Sequence, residues 1–192
     1  MKTKQIIIVT DGDEKAQKAV EESSKDLGLR VISKSAGNPC SRSGGQILDM
    51  IEECPDDPIV VMFDDQGDPG YGQGEQAMNK ITNSPNTEVL GILAVASDTK
   101  EVRGVSPDFC ITAEGEIVDG PVDKQGKAEQ KGHTILEGDT VDVINEFDDL
   151  TIVGIGDIGK MKGKDNCEFG APITSKALKE ILKRSGVRNA DK

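Results

Sequence analysis

Two apolar segments of the chain, residues 5–9 and 59–63, are each followed by closely spaced carboxylates. These carboxylates are Asp11, Asp13, Asp64, Asp65 and Asp68. Apolar runs rich in β-branched residues predict strands buried in a parallel sheet, and the carboxyl ends of such strands meet at the edge where ligands bind. Because Mg²⁺ and Ca²⁺ prefer carboxylate oxygens, Asp11, Asp64 and Asp68 are candidate ligands for either metal. We expect no other cofactor.

Four glycines stand in the loop of residues 64–75, which also contains Tyr71, the only tyrosine of the chain. Ordering these glycines costs entropy that a loop with only Tyr71 to bury cannot recover by packing. We therefore expect the loop to be placed for contact. Tyr71 is an amphipathic side chain of the kind that anchors interfaces, so it would touch a partner protein or a ligand together with Asp65 and Asp68. The alternative is that Tyr71 packs over the loop and only holds it.

Two further loops carry residues that could bind anions. Ser43 and Gly44 precede a segment with helical periodicity, where backbone N–H groups either bind an anion or are simply capped by the serine. Asp157 and Lys160 lie in the loop of residues 156–172, whose basic cluster consists of Lys160, Lys162 and Lys164. This cluster would either neutralise the carboxylates of the 64–75 loop or hold an anionic ligand.

The string of residues 154–159 matches G-x-G-x-x-G, the dinucleotide-binding pattern. That motif requires a helix that begins inside it and an acid about 20 residues later, and the residues that follow predict neither. The chain also has no P-loop match, and its only histidine, His133, has no partners for a catalytic triad. We therefore assign no catalytic residue and expect that the protein is not an enzyme.

Strands and helices alternate along most of the chain. The predicted strands are residues 5–9, 29–33, 59–63, 89–96, 109–112, 117–118 and 150–155. The predicted helices are 14–27, 45–54, 76–83, 140–147 (capped by Asp139) and a last one from after Thr174 to Arg184. This order predicts a three-layer, doubly wound, mostly parallel sheet of Rossmann-like or Toprim-like type, with the fourth strand in its centre. We expect one α/β domain over residues 1–192, with an irregular, β-rich excursion at about 100–138 in which 119–132 is mobile.

The connections that leave strands are long and rich in Gly, Asp and Ser, whereas those that return from helices are short. In a doubly wound sheet all strand-leaving loops lie at the carboxyl edge, so a lengthened edge predicts a site there. The loops are residues 11–13, 37–45, 64–75, 97–99 and 156–172. The candidate site residues on them are Asp11, Asp13, Ser43, Gly44, Asp64, Asp65, Asp68, Tyr71, Asp157 and Lys160.

Composition excludes several classes of function. The chain has 35 acidic and 23 basic residues and a net charge of -12, which repels nucleic acid and a bare anionic membrane. No apolar run approaches the ~20 residues that span a bilayer, and the N-terminus does not resemble a signal peptide. The four cysteines, none in a C-x-x-C pair, predict reduced thiols of a cytosol-like compartment, without zinc or a disulfide.

The acidic loops resemble the metal site of the Toprim family, in which Glu-Gly ends the first strand and a D-x-D pair ends a later one. Asp11-Gly12 stands in the place of the Glu-Gly, and Asp64-Asp65-Gln66 in the place of the D-x-D. The first acid is therefore shorter than in Toprim, and Gln66 replaces the second aspartate. These departures argue against phosphoryl-transfer catalysis and favour a structural use of the same scaffold.

Longer motifs point to another family. They are VTDGDEKAQKAVE (9–21), GNPCSRSGG (37–45), PIVVMFDDQGDPGYGQGE (58–75), VLGILAVASDT (89–99), VGIGDIGKMKGKDN (153–166) and GAPITSKALKEIL (170–182). From Lys4 to Ser185 the chain resembles the stage V sporulation protein AE family, a soluble component of the SpoVA system. The resemblance implies a forespore protein of spore-forming bacteria, in a system that moves calcium dipicolinate into the spore and releases it in germination. The resemblance implies no catalytic residue for this chain.

Three functions compete. The first, implied by the resemblance, is a non-enzymatic accessory protein that is peripherally associated with the spore inner membrane. Its partners would be other SpoVA or germination proteins, or a second copy in a homo-oligomer. The second is a Toprim-like, Mg²⁺-dependent phosphotransfer or nuclease domain, and the third is a sensor that binds a small dicarboxylate. Binding of Mg²⁺ or Mn²⁺ at Asp11, Asp64 and Asp68, together with nuclease activity, would distinguish the second from the first.

Overall fold

The computed structural model describes residues 3–66, 71–98 and 102–187, and within them the chain forms an α/β sandwich. The strands are β1 (Lys4–Val9), β2 (Arg30–Val31), β3 (Ile59–Met62), β4 (Thr87–Val95), β5 (Phe109–Ile111), β6 (Ile117–Val118) and β7 (Ile152–Ile155). The α-helices are α1 (Glu14–Asp26), α2 (Gly44–Glu53), α3 (Gln73–Thr82) and α4 (Pro172–Arg184). Short 3₁₀ helices cover Ser33–Ser35, Asp142–Glu146, Met161–Gly163 and Cys167–Phe169.

The strands form one seven-stranded sheet in the order β2-β3-β1-β4-β7-β5-β6. All neighbours are parallel except β6, which runs antiparallel to β5. β4 lies in the middle, as its continuous apolar sequence predicts. In the centre of the sheet Ile8 of β1 pairs with Val61 of β3 on one side and with Ile92 of β4 on the other.

Neighbouring residues of a central strand serve two separate cores, which makes the sheet the middle of three layers. Ile7 and Val9 pack with α1 and α4, whereas Ile6 and Ile8 pack with α2 and α3. A strand buried on both faces has no polar side to alternate with, and this explains the continuous apolar run of residues 6–9. The prediction of an α/β fold with a mostly parallel sheet is confirmed.

The predicted helix over residues 140–147 is wrong, because the segment forms only the 3₁₀ helix Asp142–Glu146. Thr140 has a φ of 61°, a left-handed conformation that ends any helix running through it. Asp139 caps nothing there, and its backbone N–H donates instead to Ser97 Oγ at 2.8 Å.

Two helices begin earlier than predicted, because distant carboxylates accept hydrogen bonds from their first N–H groups. α3 begins at Gln73, before the predicted residue 76, and α4 begins at Pro172, before Thr174. Proline suits the first position of a helix, since its missing N–H would have no partner within the helix.

Candidate functional site at the carboxyl edge

The loops that leave β1, β2 and β3 lie side by side. The N–H of Gly37 donates to the carbonyl oxygen of Gly12 at 2.8 Å, and the N–H of Cys40 donates to that of Asp64 at 2.8 Å. Gly12 cannot be larger, because a Cβ there would lie 2.9 Å from the oxygen of Gly37. The described parts of the loops 37–45 and 64–75 therefore share one edge of the sheet, as expected.

A hairpin of the excursion, residues 121–128, lies against the loops that leave β4 and β7. The carbonyl oxygen of Lys124 accepts the N–H of Asp157 at 3.0 Å, and the ammonium group of Lys124 forms an ion pair with Asp98. A Cβ on Gly156 would lie 2.5 Å from the nitrogen of Gly126, so the two backbones touch through glycines. The 121–128 hairpin is thus held at the carboxyl edge. Mobility was expected for residues 119–132, and no role was predicted for Lys124. The turn residues Asp123 and Gly126 were the sequence signal from which a tight hairpin could have been predicted there.

The helices α1 and α2 begin at this edge with capped N-termini. Asp13 Oδ1 accepts the N–H groups of Lys15 and Ala16 at 2.7 and 2.8 Å. Ser43 and Gln46 form a capping box, in which the N–H of Gln46 donates to Ser43 Oγ at 3.4 Å and the N–H of Ser43 donates back to Gln46 Oε1 at 3.0 Å. Ser43 therefore has the capping role that the sequence left open.

Gly44, the other residue of that predicted pair, serves packing. A Cβ there would lie 3.1 Å from the carbonyl oxygen of Ala77, so the glycine lets α2 approach α3 closely.

Asp65 caps α3 from within the acidic loop. Its Oδ1 accepts the N–H of Gly74 at 2.6 Å, its Oδ2 accepts that of Glu75 at 2.9 Å, and the side chain is buried. A Cβ on Gly72 would lie 2.5 Å from the Asp65 carboxyl carbon. These glycines thus make room for a buried carboxylate. Asp65 holds the loop onto the helix and presents little surface to a partner.

Asp165 caps α4 in the same way. Its Oδ1 accepts the N–H of Ile173 at 2.8 Å, and its Oδ2 accepts the hydroxyl of Thr174 at 2.6 Å. Asp165 was not predicted as a cap, because it stands seven positions before Pro172 with an intervening 3₁₀ helix. All four α-helices therefore begin with an N-terminus that is closed by a side chain of the chain itself, in three cases a carboxylate.

Asp64 lies at the centre of the edge and is buried. Its Oδ2 accepts the N–H of Gly12 at 3.3 Å, its Oδ1 accepts that of Gln66 at 3.0 Å, and its carboxyl also hydrogen-bonds the side chain of Asp139. Burial, and then repulsion by Asp139, raise the pKa of Asp64 to about 7. Two carboxyls can share a hydrogen bond only when a proton lies between them. Asp139 was predicted as a helix cap and not as the partner of Asp64.

Asp11 faces more carboxylates. Burial raises its pKa well above the ordinary value, and repulsion by Asp13, Asp64 and Asp157 raises it further. The N–H of Asp13 donates to Asp11 Oδ1 at 3.2 Å.

The structure describes two of the three predicted metal ligands, Asp11 and Asp64, while Asp68 lies outside the described residues. Within residues 3–66, 71–98 and 102–187, no three His, Cys, Asp or Glu side chains are grouped closely enough to hold a metal ion.

Two lysines of the basic cluster pair with acids other than those that the sequence suggested. Lys160 Nζ lies 2.5 Å from Asp157 Oδ2, and Lys164 Nζ lies 2.9 Å from Glu114 Oε2. Both lysines thus form ion pairs, but with residues of their own loop and of the β5–β6 turn. No helix begins in residues 154–159, in agreement with the rejection of the dinucleotide motif.

Two aromatic side chains on the loops that leave the strands are exposed. Tyr71 is 50% exposed, and Gln76 Nε2 donates to its carbonyl oxygen at 3.0 Å. Partial burial, and then the charge of Glu146, raise the pKa of its hydroxyl, which hydrogen-bonds Asn79. Phe169 is 78% exposed, at the end of the 3₁₀ helix Cys167–Phe169. No role was predicted for Phe169, although its position as an aromatic residue in a loop was a signal in the sequence.

The remaining comparisons concern the whole chain. The four cysteines are free thiols, and Cys40 and Cys110 are buried. None of the helices among the described residues combines the length and the apolar character needed to cross a membrane.

No curated protein and no solved structure is similar enough to match the chain. The model of the family described as stage V sporulation protein AE1 matches residues 5–185, nearly the whole chain. The chain therefore belongs to the stage V sporulation protein AE1 family, and with it to the proteins of sporulation.

Proposed function

We propose that this chain is a non-enzymatic accessory component of the SpoVA system, which acts in the uptake of calcium dipicolinate by the spore and its release in germination. It would act peripherally at the spore inner membrane, by binding other proteins of the system. The working surface would be the exposed part of the carboxyl edge.

The observation that carries this proposal is the closure of the helix N-termini. In α/β proteins that bind nucleotides, the N–H groups of a helix at this edge hold the phosphate. Here Asp13, Ser43, Asp65 and Asp165 accept those N–H groups. A phosphate or a free dicarboxylate would have to displace one of these side chains from the N–H groups that it accepts. Both alternatives with anionic ligands, the Toprim-like enzyme and the dicarboxylate sensor, are therefore less well supported.

The Toprim-like reading meets a second difficulty. Asp64, at the first position of the D-x-D pattern, already accepts hydrogen bonds from Gly12 and Gln66, and Asp65, at its middle position, caps α3. A metal would have to compete with these bonds for both carboxylates.

The loops that leave the strands expose two large aromatic side chains, Tyr71 and Phe169. Large aromatic side chains bury much area for little lost entropy, and they dominate the energy of protein interfaces. The chain has only four Phe and one Tyr, so two of its five aromatic residues lie exposed on these loops.

The experiment is to replace Tyr71 by alanine, with Ile117→Ala as the matched control, in spores of an organism that carries this gene. Ile117 is 44% exposed, on the edge strand β6, and belongs to neither aromatic loop. We expect Tyr71→Ala to reduce recovery of the protein with the spore membrane fraction and to slow dipicolinate release, while Ile117→Ala leaves both unchanged. Equal behaviour of the two variants would contradict the proposal, as would a metal-dependent nuclease activity that Asp64→Asn abolishes.

A further inference from the structure

The side of α4 that faces away from the sheet carries a row of cations. Lys176, Lys179 and Lys183 follow one another at spacings of three and four residues, which places them along one side of the helix. Arg184 follows at the end of the helix. We call these four residues the α4 row. The other side of the helix is buried against the sheet through Ile173, Ala177, Leu178, Ile181 and Leu182.

The charge of the α4 row is not cancelled within the helix. Glu180 is the only acid of α4, and it serves two cations, since it lies 4.0 Å from Lys183 Nζ and 3.7 Å from Arg184 Nε. Lys176 Nζ donates to a neutral acceptor, a backbone carbonyl oxygen at 2.6 Å. Among the described residues, Lys179 has no acid within ion-pair distance. A surplus of three positive charges therefore remains after every ion pair of the helix.

The turn between β5 and β6, whose backbone accepts the hydrogen bond of Lys176, does not remove this surplus. It contributes two acids, Glu114 and Glu116. Glu114 pairs with Lys164 at 2.9 Å, and the charge of Lys162 acts on the same carboxylate. Two lysines outside the helix thus match the two acids of the turn.

Helix stability explains only the end of the row. The negative end of the helix dipole favours cations in the last turn, where Lys183 and Arg184 stand. Lys176 and Lys179 stand nearer the positive end, where the dipole gives no reason for a cation. Their charge calls for a partner outside the chain.

The net charge of -12 is distributed unevenly between the two helical layers. On one face of the sheet, α1 has four acids and three bases and α4 has one acid and four bases. On the other face, α2 has three acids and no base, and α3 has one of each. The two layers lie about 20 Å apart, which exceeds the Debye length of about 8 Å at physiological ionic strength. An anionic surface that approaches α4 therefore meets positive charge and is screened from the acids of α2.

We propose that the α4 row binds the anionic headgroups of a phospholipid bilayer. The four cations form an open row about 10 Å long on a convex helix, which suits an extended charged plane better than one small anion. Three of them are lysines, which attract as point charges, and the guanidinium carbon of Arg184 is held 3.9 Å from the centre of the Phe109 ring. This rests on the proposed function, in that it names the contact of the same peripheral protein with lipid. Tyr71 leads into α3 on the other face of the sheet and stays open to proteins.

The test is flotation of the purified chain with vesicles of equimolar phosphatidylglycerol and phosphatidylcholine, and with vesicles of phosphatidylcholine alone. We expect binding to the anionic vesicles only, and weaker binding as salt is added. A lysine near an anionic surface strengthens binding about fivefold, so the double substitution Lys179→Glu and Lys183→Glu should weaken it by about tenfold or more. The milder pair Lys179→Gln and Lys183→Gln should weaken it less, and circular dichroism shows whether each variant is folded.

The matched control is the double substitution Lys34→Glu and Lys127→Glu, which changes the net charge equally at two exposed lysines outside α4. It should bind the anionic vesicles nearly as the wild type does. No binding to these vesicles, equal losses in the two double variants, or tighter binding of the α4 row to a DNA duplex at the same salt would overturn the inference. If recovery with spore membranes still depends on Tyr71 in that case, the proposed function stands without it. Normal recovery of Tyr71→Ala, with vesicle binding that depends on Lys179 and Lys183, would instead contradict the proposed working surface and leave this inference in place.

Discussion

Asp64 and Asp139 share a hydrogen bond between their carboxyl groups, at the point where the loop after β3 meets the return from the excursion. The two residues are 75 positions apart in the chain, and Asp64 is almost completely buried. The contact exists only while a proton lies between the oxygens, so protonation contributes directly to the stability of this edge.

This pair predicts an unusual dependence of stability on pH. Burial and the charge of Asp139 raise the pKa of Asp64 to about 7, against an ordinary value of about 4 in the unfolded chain. The stabilisation is complete below about pH 4 and declines as the pH rises, because the folded state holds the proton more tightly between these values. It is lost once the pH has passed about 7. The free energy of unfolding from this source should therefore fall from pH 5 to 7 and then level off.

The measurement is the melting temperature of the wild type and of Asp64→Asn between pH 5 and 8. The amide mimics the protonated carboxyl, so the variant should lose much of the slope. Burial also raises the pKa of Glu75 to about 7, so Glu75→Gln should remove a further part. Asp49→Asn, on the exposed face of α2, is the control and should keep the slope of the wild type. An unchanged slope in Asp64→Asn would show that the pair does not retain its proton.

The cap on α3 predicts the effect of a second substitution. Asp65→Ala leaves the N–H groups of Gly74 and Glu75 without their acceptor in a buried position, so we expect a loss of about 2 kcal/mol or more. Asp13→Ala removes the cap of α1 at a more exposed site and should cost about 1 kcal/mol. Urea unfolding measures both. Equal losses would mean that burial of the Asp65 cap adds nothing.

The contact of the 121–128 hairpin with the edge predicts a difference between two glycines. Gly115 and Gly126 have φ values of 79° and 72°, so alanine pays a similar backbone cost of about 1–2 kcal/mol at each. A Cβ on Gly115 meets nothing within 4 Å, whereas one on Gly126 would lie 2.8 Å from the nitrogen of Ala113. Gly126→Ala should therefore be the more destabilising, and hydrogen exchange should quicken in residues 121–128. Similar exchange in both variants would show that the hairpin is not held by this contact.

The substitution Tyr71→Ala distinguishes a contact role of this side chain from a packing role. Half of its surface is exposed, so Tyr71→Ala should change the free energy of unfolding by less than about 1 kcal/mol. Thermal unfolding of the purified variant measures this. A large loss of stability, together with normal germination, would make Tyr71 a packing residue and would remove the loop from the working surface.

Much of the fold could be predicted because each central strand is indicated by its own run of residues. The apolar runs that became β1, β3 and β4 have no polar alternation, and this leaves burial between two helical layers as their only stable arrangement. The position of the loops at one edge then follows from the parallel topology. The same logic brought Asp11, Asp13, Asp64, Asp65 and Asp157 to one edge, and each of them lies there.

The rest depended on contacts between distant residues, which no local pattern contains. Asp139 looked like a helix cap because a polar residue precedes an apolar-periodic segment, but the left-handed Thr140 stops that helix. Asp165 and Lys124 gain their roles only from the folding of their loops back onto α4 and onto the edge. The early start of α3 has the same cause. Two glycines weaken the local helical pattern, and the helix begins at Gln73 because the buried Asp65 accepts the N–H groups of Gly74 and Glu75.

The most direct test of a contact surface at the carboxyl edge is photo-crosslinking inside spores. The residue p-benzoylphenylalanine would replace Tyr71 in one strain and Ile117 in another, each chain being otherwise wild type, and covalent adducts would be identified by mass spectrometry after irradiation. We predict that position 71 gives adducts with a SpoVA component or with a second copy of the chain, and that position 117 gives none. Adducts from position 117 alone, or equal yields from both positions, would contradict the account.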